Sequence, residues 1–434
     1  MRQILFAAAI VGLALAGCFE SVPEGILTGA GGTGPDLPMI LPQTDFYNAT
    51  GKPGYLAVET PQPFHTLEEV YGRVMEFQAR RPDLVNVTEI GRTLQDRPMY
   101  DIVVTNRSVP GPKIVPFFDG GHHGNEIAGT ELILYTVDFL LDNYERNATV
   151  RRWVDTYEIH LVPLVNPDGY AVQTRGNALG VNLNRNYDID WGNQGGASNP
   201  VMGTLAHALN RSMPSVMIVA ENSGPHAFSE PESRAVRDLL ASLDDRLAFY
   251  MTYHTPTNGF IAPWSAFDPP FAIPPEHNAV FEATLEWVRT NTEYKAGKAQ
   301  WGNFSAGLPY SASGSSQDWA YMRHNVPAFT LEIEIWYTSV FSDGYAGRVF
   351  LTPYQGLDYW MRASLPIPLH LLANADRFAA WEPPVVSPPL PDGVPPERPA
   401  ALDACTGIPS DEAPNRPVWP LAVCNLVQPE EHEH

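Results

Sequence analysis

Two residues able to hold a metal stand three apart in His123-Gly124-Asn125-Glu126. An imidazole nitrogen and a carboxylate oxygen at that spacing can converge on one ion. Zinc accepts both donor types, and a catalytic zinc site uses three protein ligands with a fourth position open for water. Alone, His-x-x-Glu is a weak signal, since two polar residues on a loop read the same way. A third donor is offered by His254, which ends the run Phe249 to His254. A turn follows at Thr255-Pro256, and the carboxyl end of a strand faces the crevice where α/β sheets place their sites. Taken singly, His254 reads as a hydrogen-bonded structural residue. Glu332 sits in the apolar run Phe329 to Trp336. A carboxylate buried there is costly unless it is paired or functional. Glu334 shares its face of that strand. His122 competes with His123 as a ligand, and register favours His123.

The elements that must carry these groups follow from periodicity. Ile114 to Phe118 reads as a buried strand, Gly120 and Gly121 as a sharp turn, and residues 127–142 as a helix. So His123 lies at a strand end and Glu126 at a helix start. Upstream, Thr66-Leu67-Glu68-Glu69 fits a capping box. The helix that follows stops at Pro82. Strands are expected over 84–90 and 99–105, joined at Gln95-Asp96, and over 157–163, ending at Asn166-Pro167-Asp168-Gly169-Tyr170. Helices are expected over 230–243 and 275–292, and strands at 249–254, near Ile261, and from Ala328 to Glu334. Residues 354–376 read as an interrupted helix. Alternating apolar strands and amphipathic helices imply an α/β domain, its sheet mixed or largely parallel and covered on both faces.

Composition narrows the class. The 434 residues are 44% hydrophobic, enough for one large core. There are 27 basic and 49 acidic residues, a net charge of −22. That argues against nucleic acid and against anionic membrane surfaces as partners. Met1-Arg2 and the short apolar run Ile4 to Ala16 read as a secretory segment over residues 1–17. Leu15-Ala16-Gly17-Cys18 is similar to a bacterial lipoprotein signal, which implies a lipid anchor on Cys18. The expected location is the cell envelope: outer membrane, periplasm or cell surface. Residues 18–61 read as a flexible tether, 62–376 as the folded domain, 377–399 as a Pro-rich linker and 400–434 as a small tail. Cys405 and Cys424 in that tail suit a disulfide in an oxidising compartment.

Further motifs keep the order and separation of one family. They are His123-Gly-Asn-Glu126, Asn166-Pro-Asp-Gly-Tyr170, Gly180-Val-Asn-Leu-Asn-Arg-Asn186, Gly224-Pro225 with Ser229-Glu-Pro-Glu232, the His254 strand, Tyr310 with Gly314 and Asp318-Trp319, and the Glu332 strand. From about Phe64 to about Asp376 the chain resembles the zinc metallocarboxypeptidases, the carboxypeptidase A-like family. The resemblance implies a single domain with a twisted sheet of about eight strands and helices on both faces. It implies one Zn2+ per chain on His123, Glu126 and His254. Glu332 becomes the general base that takes a proton from the attacking water, and Arg175 the oxyanion donor. Asn184 and Arg185 become the clamp on a terminal carboxylate, and Tyr310 a residue that closes over the substrate. The implied partner is a peptide with a free C-terminal carboxylate, and the chain is taken as a monomer. A hydrolase of peptidoglycan stem peptides and a non-catalytic binding module are the alternatives on the same fold.

Three departures stand out. Asn182 occupies a position where the family usually has Asp, Glu334 one that is commonly Arg, and Gln317 the position that commonly reads specificity. The resemblance implies that Thr252, Ala312, Gln317 and Thr330 line the pocket for the terminal side chain, and none of them is ionised. The expected preference is therefore for neutral terminal residues, apolar before polar.

Overall fold

The computed structural model describes residues 36–42, 64–193, 222–255, 258–298, 312–333, 356–388, 390–392 and 394. Cys18, Tyr310, Glu334, Cys405 and Cys424 lie outside them. Eight strands form one sheet: β1 (Val85–Arg92), β2 (Pro98–Val104), β3 (Val115–Gly120), β4 (Ile159–Val162), β5 (Leu247–His254), β6 (Gly259–Ala262), β7 (Lys295–Lys298) and β8 (Ala328–Glu332). Their order is β1-β2-β4-β3-β5-β8-β6-β7. The central four, β4-β3-β5-β8, run parallel, with antiparallel partners outside them. Every residue of β3, β4, β5 and β8 is buried, so both faces of the centre are covered. Such strands read as continuous apolar runs and not as alternations.

The helices begin where the sequence signals them. Thr66 accepts from Glu69 N, and Glu69 reaches back to Thr66 N, so both halves of the capping box form ahead of α1 (Leu67–Arg80). The long α2 (Ile127–Asn143) leaves the end of β3 and is buried almost throughout. Then come α3 (Ala148–Thr156), α4 (Pro167–Val172), α5 (Pro231–Leu243), α6 (Pro275–Asn291) and α7 (Ser316–His324). The interrupted C-terminal helix is three pieces, α8 (Gly356–Ser364), α9 (Pro366–Ala373) and α10 (Ala375–Ala379). Pro366 opens the second, where a missing N–H costs nothing. Helix α3 and strand β7 had no expectation in the sequence; each is short.

The packed body reaches past both ends of 62–376. Within the stretch read as a tether, Ile40 exchanges two hydrogen bonds with the Asn143 side chain, at 2.7 and 2.8 Å, and Met39 is buried. Asp36 accepts from Ala148 N at the start of α3. Beyond α10, Trp381 stacks on His277 at 3.6 Å and donates to Asn325 O. Asn374 holds the backbone of Val385 and Val386.

One buried charge cluster makes the sheet pH-sensitive. His160 on β4 places Nδ1 2.6 Å from Asp101 and Nε2 3.1 Å from Glu158. Burial works against its charge, but the two carboxylates prevail and raise it from 6.5 to about 9. A raised folded pKa adds stability that is fully present below the unfolded value and is lost as pH rises through 9. His160→Gln should therefore cost about 3 kcal/mol more at pH 6 than at pH 10. Denaturant unfolding at the two pH values measures it; an equal cost at both would refute the charged pairing.

Candidate metal and hydrolytic centre

Parallel pairing brings the site together at the carboxyl ends of three adjacent strands. β3 runs out at Gly120 into the loop that carries His123 and Glu126. β5 ends at His254, which lies directly opposite Glu332 at the end of β8. The loop can turn tightly because Gly124 has no side chain. A Cβ there would stand 2.0 Å from Gly169 C and 2.2 Å from Tyr170 N, inside the next turn.

His123, Glu126 and His254 are buried, and one donor atom from each lies within 4.8 Å of the others. His123 Nδ1 is 2.7 Å from Glu126 Oε1, and His254 Nδ1 is 2.9 Å from Glu126 Oε2. The two Nδ1 atoms are 3.1 Å apart. Burial and the Arg175 charge push His123 down to about 4. Burial opposes the Glu126 charge, yet His123 and His254 hold its carboxyl well below the usual range. Neutral imidazole and ionised carboxylate are the forms in which these side chains bind a metal. The donor set, two nitrogens and a carboxylate, is one that zinc takes with a position left open.

The surrounding groups orient the ligands. Asn182 Oδ1 accepts from Asn184 N at 3.0 Å, so it faces His123 as an acceptor, 2.8 Å from Nε2. That places the His123 proton on Nε2 and leaves Nδ1 for the ion. Asn184 takes Ser316 N–H on its Oδ1 at 2.9 Å, and its Nδ2 stands 3.1 Å from His254 Nε2. Thr255 N donates to Glu126 Oε2 at 3.2 Å. His122 points elsewhere: Nε2 lies 2.9 Å from the Tyr187 hydroxyl, and the ring stacks against His254.

The remaining groups sit around this centre. Arg175 places Nη1 2.8 Å from Glu126 Oε1 and 3.1 Å from His123 Nδ1. Arg185 is buried, with Nη1 bonded to Asn184 O. Glu332 is buried, and its Oε2 has no hydrogen-bond partner among the described residues. Burial and the nearby Glu126 raise it to about 7. One residue layer below, Thr252 and Thr330 face each other across β5 and β8, and Thr330 donates to Gln317 Oε1 at 2.5 Å. Thr252, Ala312, Gln317 and Thr330 are all buried, and none carries charge. The contacts of Ser316 with Asn184 and of the Thr255 amide with Glu126 were not foreseen.

Comparison with known proteins agrees with this geometry. The zinc carboxypeptidase family model matches residues 71–352. Zinc carboxypeptidase A 1 of Anopheles gambiae is 28% identical over 306 residues, 67% of this chain and 63% of that protein. Carboxypeptidase O of Bos taurus is 26% identical over 273 residues, 59% of this chain and 66% of that protein. The chain thus spans less than two thirds of the length of either relative. The crystal structure of a carboxypeptidase A from Helicoverpa armigera shares the fold, with a TM-score of 0.53 at 21% identity over 73% of this chain and 74% of that one.

Metal analysis of the purified protein should find close to one zinc per chain. His254→Ala should lower zinc affinity by at least about 100-fold, since one of three protein ligands is gone. Chelator competition measures this, and an unchanged affinity would remove His254 from the ligand set.

Proposed function

The chain belongs to the zinc carboxypeptidase family, and from that premise we propose that it is a zinc-dependent exopeptidase releasing the C-terminal residue of peptides. The observation that carries the reading is the adjacency of a two-histidine, one-carboxylate donor set to a buried carboxylate, Glu332, opposite His254. A donor set and a base side by side are what metal-assisted hydrolysis requires.

We carry the residue roles over from the family resemblance, supported by position where the residues are described. His123, Glu126 and His254 hold the zinc, which when bound supplies Lewis acidity to the reacting carbonyl and water. Glu332 takes the proton from the attacking water and passes it to the departing amine. Its unpartnered Oε2 supports this, because no other described group competes for that lone pair. Arg175, anchored beside Glu126, stabilises the negative charge that develops on the carbonyl oxygen. Asn184 and Arg185 bind the terminal carboxylate, with Tyr310 closing over the bound residue. Arg suits that clamp because its planar fork pairs bidentately with a carboxylate.

Substrate choice is read from the residues that match the family's pocket for the terminal side chain. Thr252, Ala312, Gln317 and Thr330 offer no counter-charge. A charged terminal side chain would be buried unpaired at a cost of several kcal/mol. Neutral terminal residues are therefore preferred, apolar before polar. The net charge of −22 attracts basic peptides at long range, but salt screens that field, whereas the pocket acts at contact. The test is turnover of blocked dipeptides ending in Phe, Leu, Gln, Lys and Glu. Phe and Leu should lead. Glu332→Gln should lower kcat by roughly 10²–10⁴-fold with zinc retained. A preference for Lys, or an active Glu332→Gln, would overturn the assignment concerned.

The cell address is proposed from Leu15-Ala16-Gly17-Cys18. No helix among the described residues is long and apolar enough to cross a membrane. The protein is read as an envelope lipoprotein held through Cys18, monomeric, with no nucleic-acid partner. A fatty-acid probe should label the wild type and not Cys18→Ser; equal labelling of the two would refute the anchor.

A further inference from the structure

The turn Asn166-Pro167-Asp168-Gly169-Tyr170 touches the centre through its first residue. Asn166 is fully buried, and each of its side-chain polar atoms is engaged. Oδ1 accepts from Gly169 N at 2.8 Å and caps α4. Nδ2 faces two carbonyl oxygens, His122 O at 3.2 Å and Arg175 O at 3.5 Å. The backbone extends the contact: Val165 N donates to Gly120 O and Asn166 N to Gly121 O, at 3.0 and 2.9 Å. Successive carbonyls of the loop leading to His123 are thus all tied to this one place. The same amide reaches the backbone of Arg175.

Three segments meet here with almost no side chain between them. A Cβ on Gly124 would strike the backbone of Gly169 and Tyr170. A Cβ on Gly169 would stand 2.5 Å from Asn166 Nδ2 and 2.6 Å from Gly176 O. Close-packed backbone does not yield gradually, so a displaced turn moves what rests on it.

We propose that Asn166 is a positioning residue, an amide clamp that sets the Arg175 guanidinium against the loop holding His123 and Glu126. The inference rests on the roles assigned to those residues under the proposed function. Only an amide meets the demands of the place. Two N–H bonds go to two carbonyls, and one oxygen caps the helix. Aspartate would turn a second oxygen toward those carbonyls. Serine keeps a cap acceptor but has a single O–H and a shorter reach. Neither preserves both carbonyl contacts.

The other side of the turn supplies a control. Asp168 accepts from Thr93 Oγ1, Gln95 N and Arg97 Nη1 at 2.8, 3.1 and 2.6 Å. Those bonds tie the turn to the β1–β2 hairpin and not to the ligands. Thr93→Val should lower Tm and leave rate and zinc affinity alone.

The experiment compares wild type, Asn166→Ser, Asn166→Asp and Thr93→Val as full-length, zinc-loaded proteins. It reads kcat and KM on a blocked dipeptide ending in Phe, zinc affinity by chelator competition, and Tm. An oxyanion donor acts in the transition state, and displacement by about 1 Å costs roughly 10²-fold. Asn166→Ser should therefore lose roughly 10–100-fold in kcat, with KM changed by less than about threefold. Zinc affinity should fall about tenfold, the lower end for a group that orients a ligand. Asn166→Asp should lose at least as much. Folded Asn166 variants with wild-type kcat and zinc affinity would overturn the proposal. So would loss of folding in both variants, which would make Asn166 a folding residue. A wild type that hydrolyses no peptide would strike the proposed function instead, while the zinc affinities would still decide whether Asn166 orients the ligand loop.

Discussion

A buried carboxylate governs this structure. Glu126 is buried, and its charge is tolerated because four groups converge on its two oxygens. His123 and Arg175 meet one oxygen, His254 and the Thr255 amide the other. Isolated in low dielectric, such a group would take up a proton instead. The four come from three separate parts of the chain, His254 and Thr255 being neighbours. The sheet order, the loop lengths and the turns can be read as the means of delivering them to one point.

Parallel strands make that delivery precise to a residue. β3, β5 and β8 lie side by side and point the same way, so their ends open on one edge. His254 and Glu332 are paired positions, and the residues two back, Thr252 and Thr330, are paired as well. The period of two puts the lower pair on the same face as the upper. Two layers of side chains at the strand ends thus follow from one register, and a slip of one residue would turn both away together.

Much of this was legible in the sequence, for local reasons. A histidine ending a strand, a carboxylate in an apolar run and glycines around His123 each carry their meaning within a few residues. The capping box at Thr66 is of the same kind. What could not be read depends on chain segments distant in sequence. Nothing in Ile159–Val162 says that it lies between β2 and β3; that is set by long-range pairing. Residues 36–42 looked like tether because they lack periodicity, yet Asn143, 103 residues away from Ile40, gives their backbone its partners. Asn166 looked like an ordinary turn former. Its two carbonyl acceptors belong to segments 44 and 9 residues away, and only folding brings them within reach.

Asn182 shows how a single side chain reconciles two demands at this centre. His123 needs an acceptor on Nε2 so that Nδ1 keeps its lone pair. A carboxylate would serve and would make the ring more basic, strengthening it as a ligand. The amide serves by geometry alone, its oxygen already committed as an acceptor by the Asn184 amide hydrogen. The demand on the other side comes from Glu332. Its carboxyl is raised by burial first and by Glu126 second, with Arg175 and Arg185 among the groups that lower it. A third buried carboxylate nearby would push in the direction that Glu126 already pushes. A neutral partner for His123 orients the ring without adding to that repulsion.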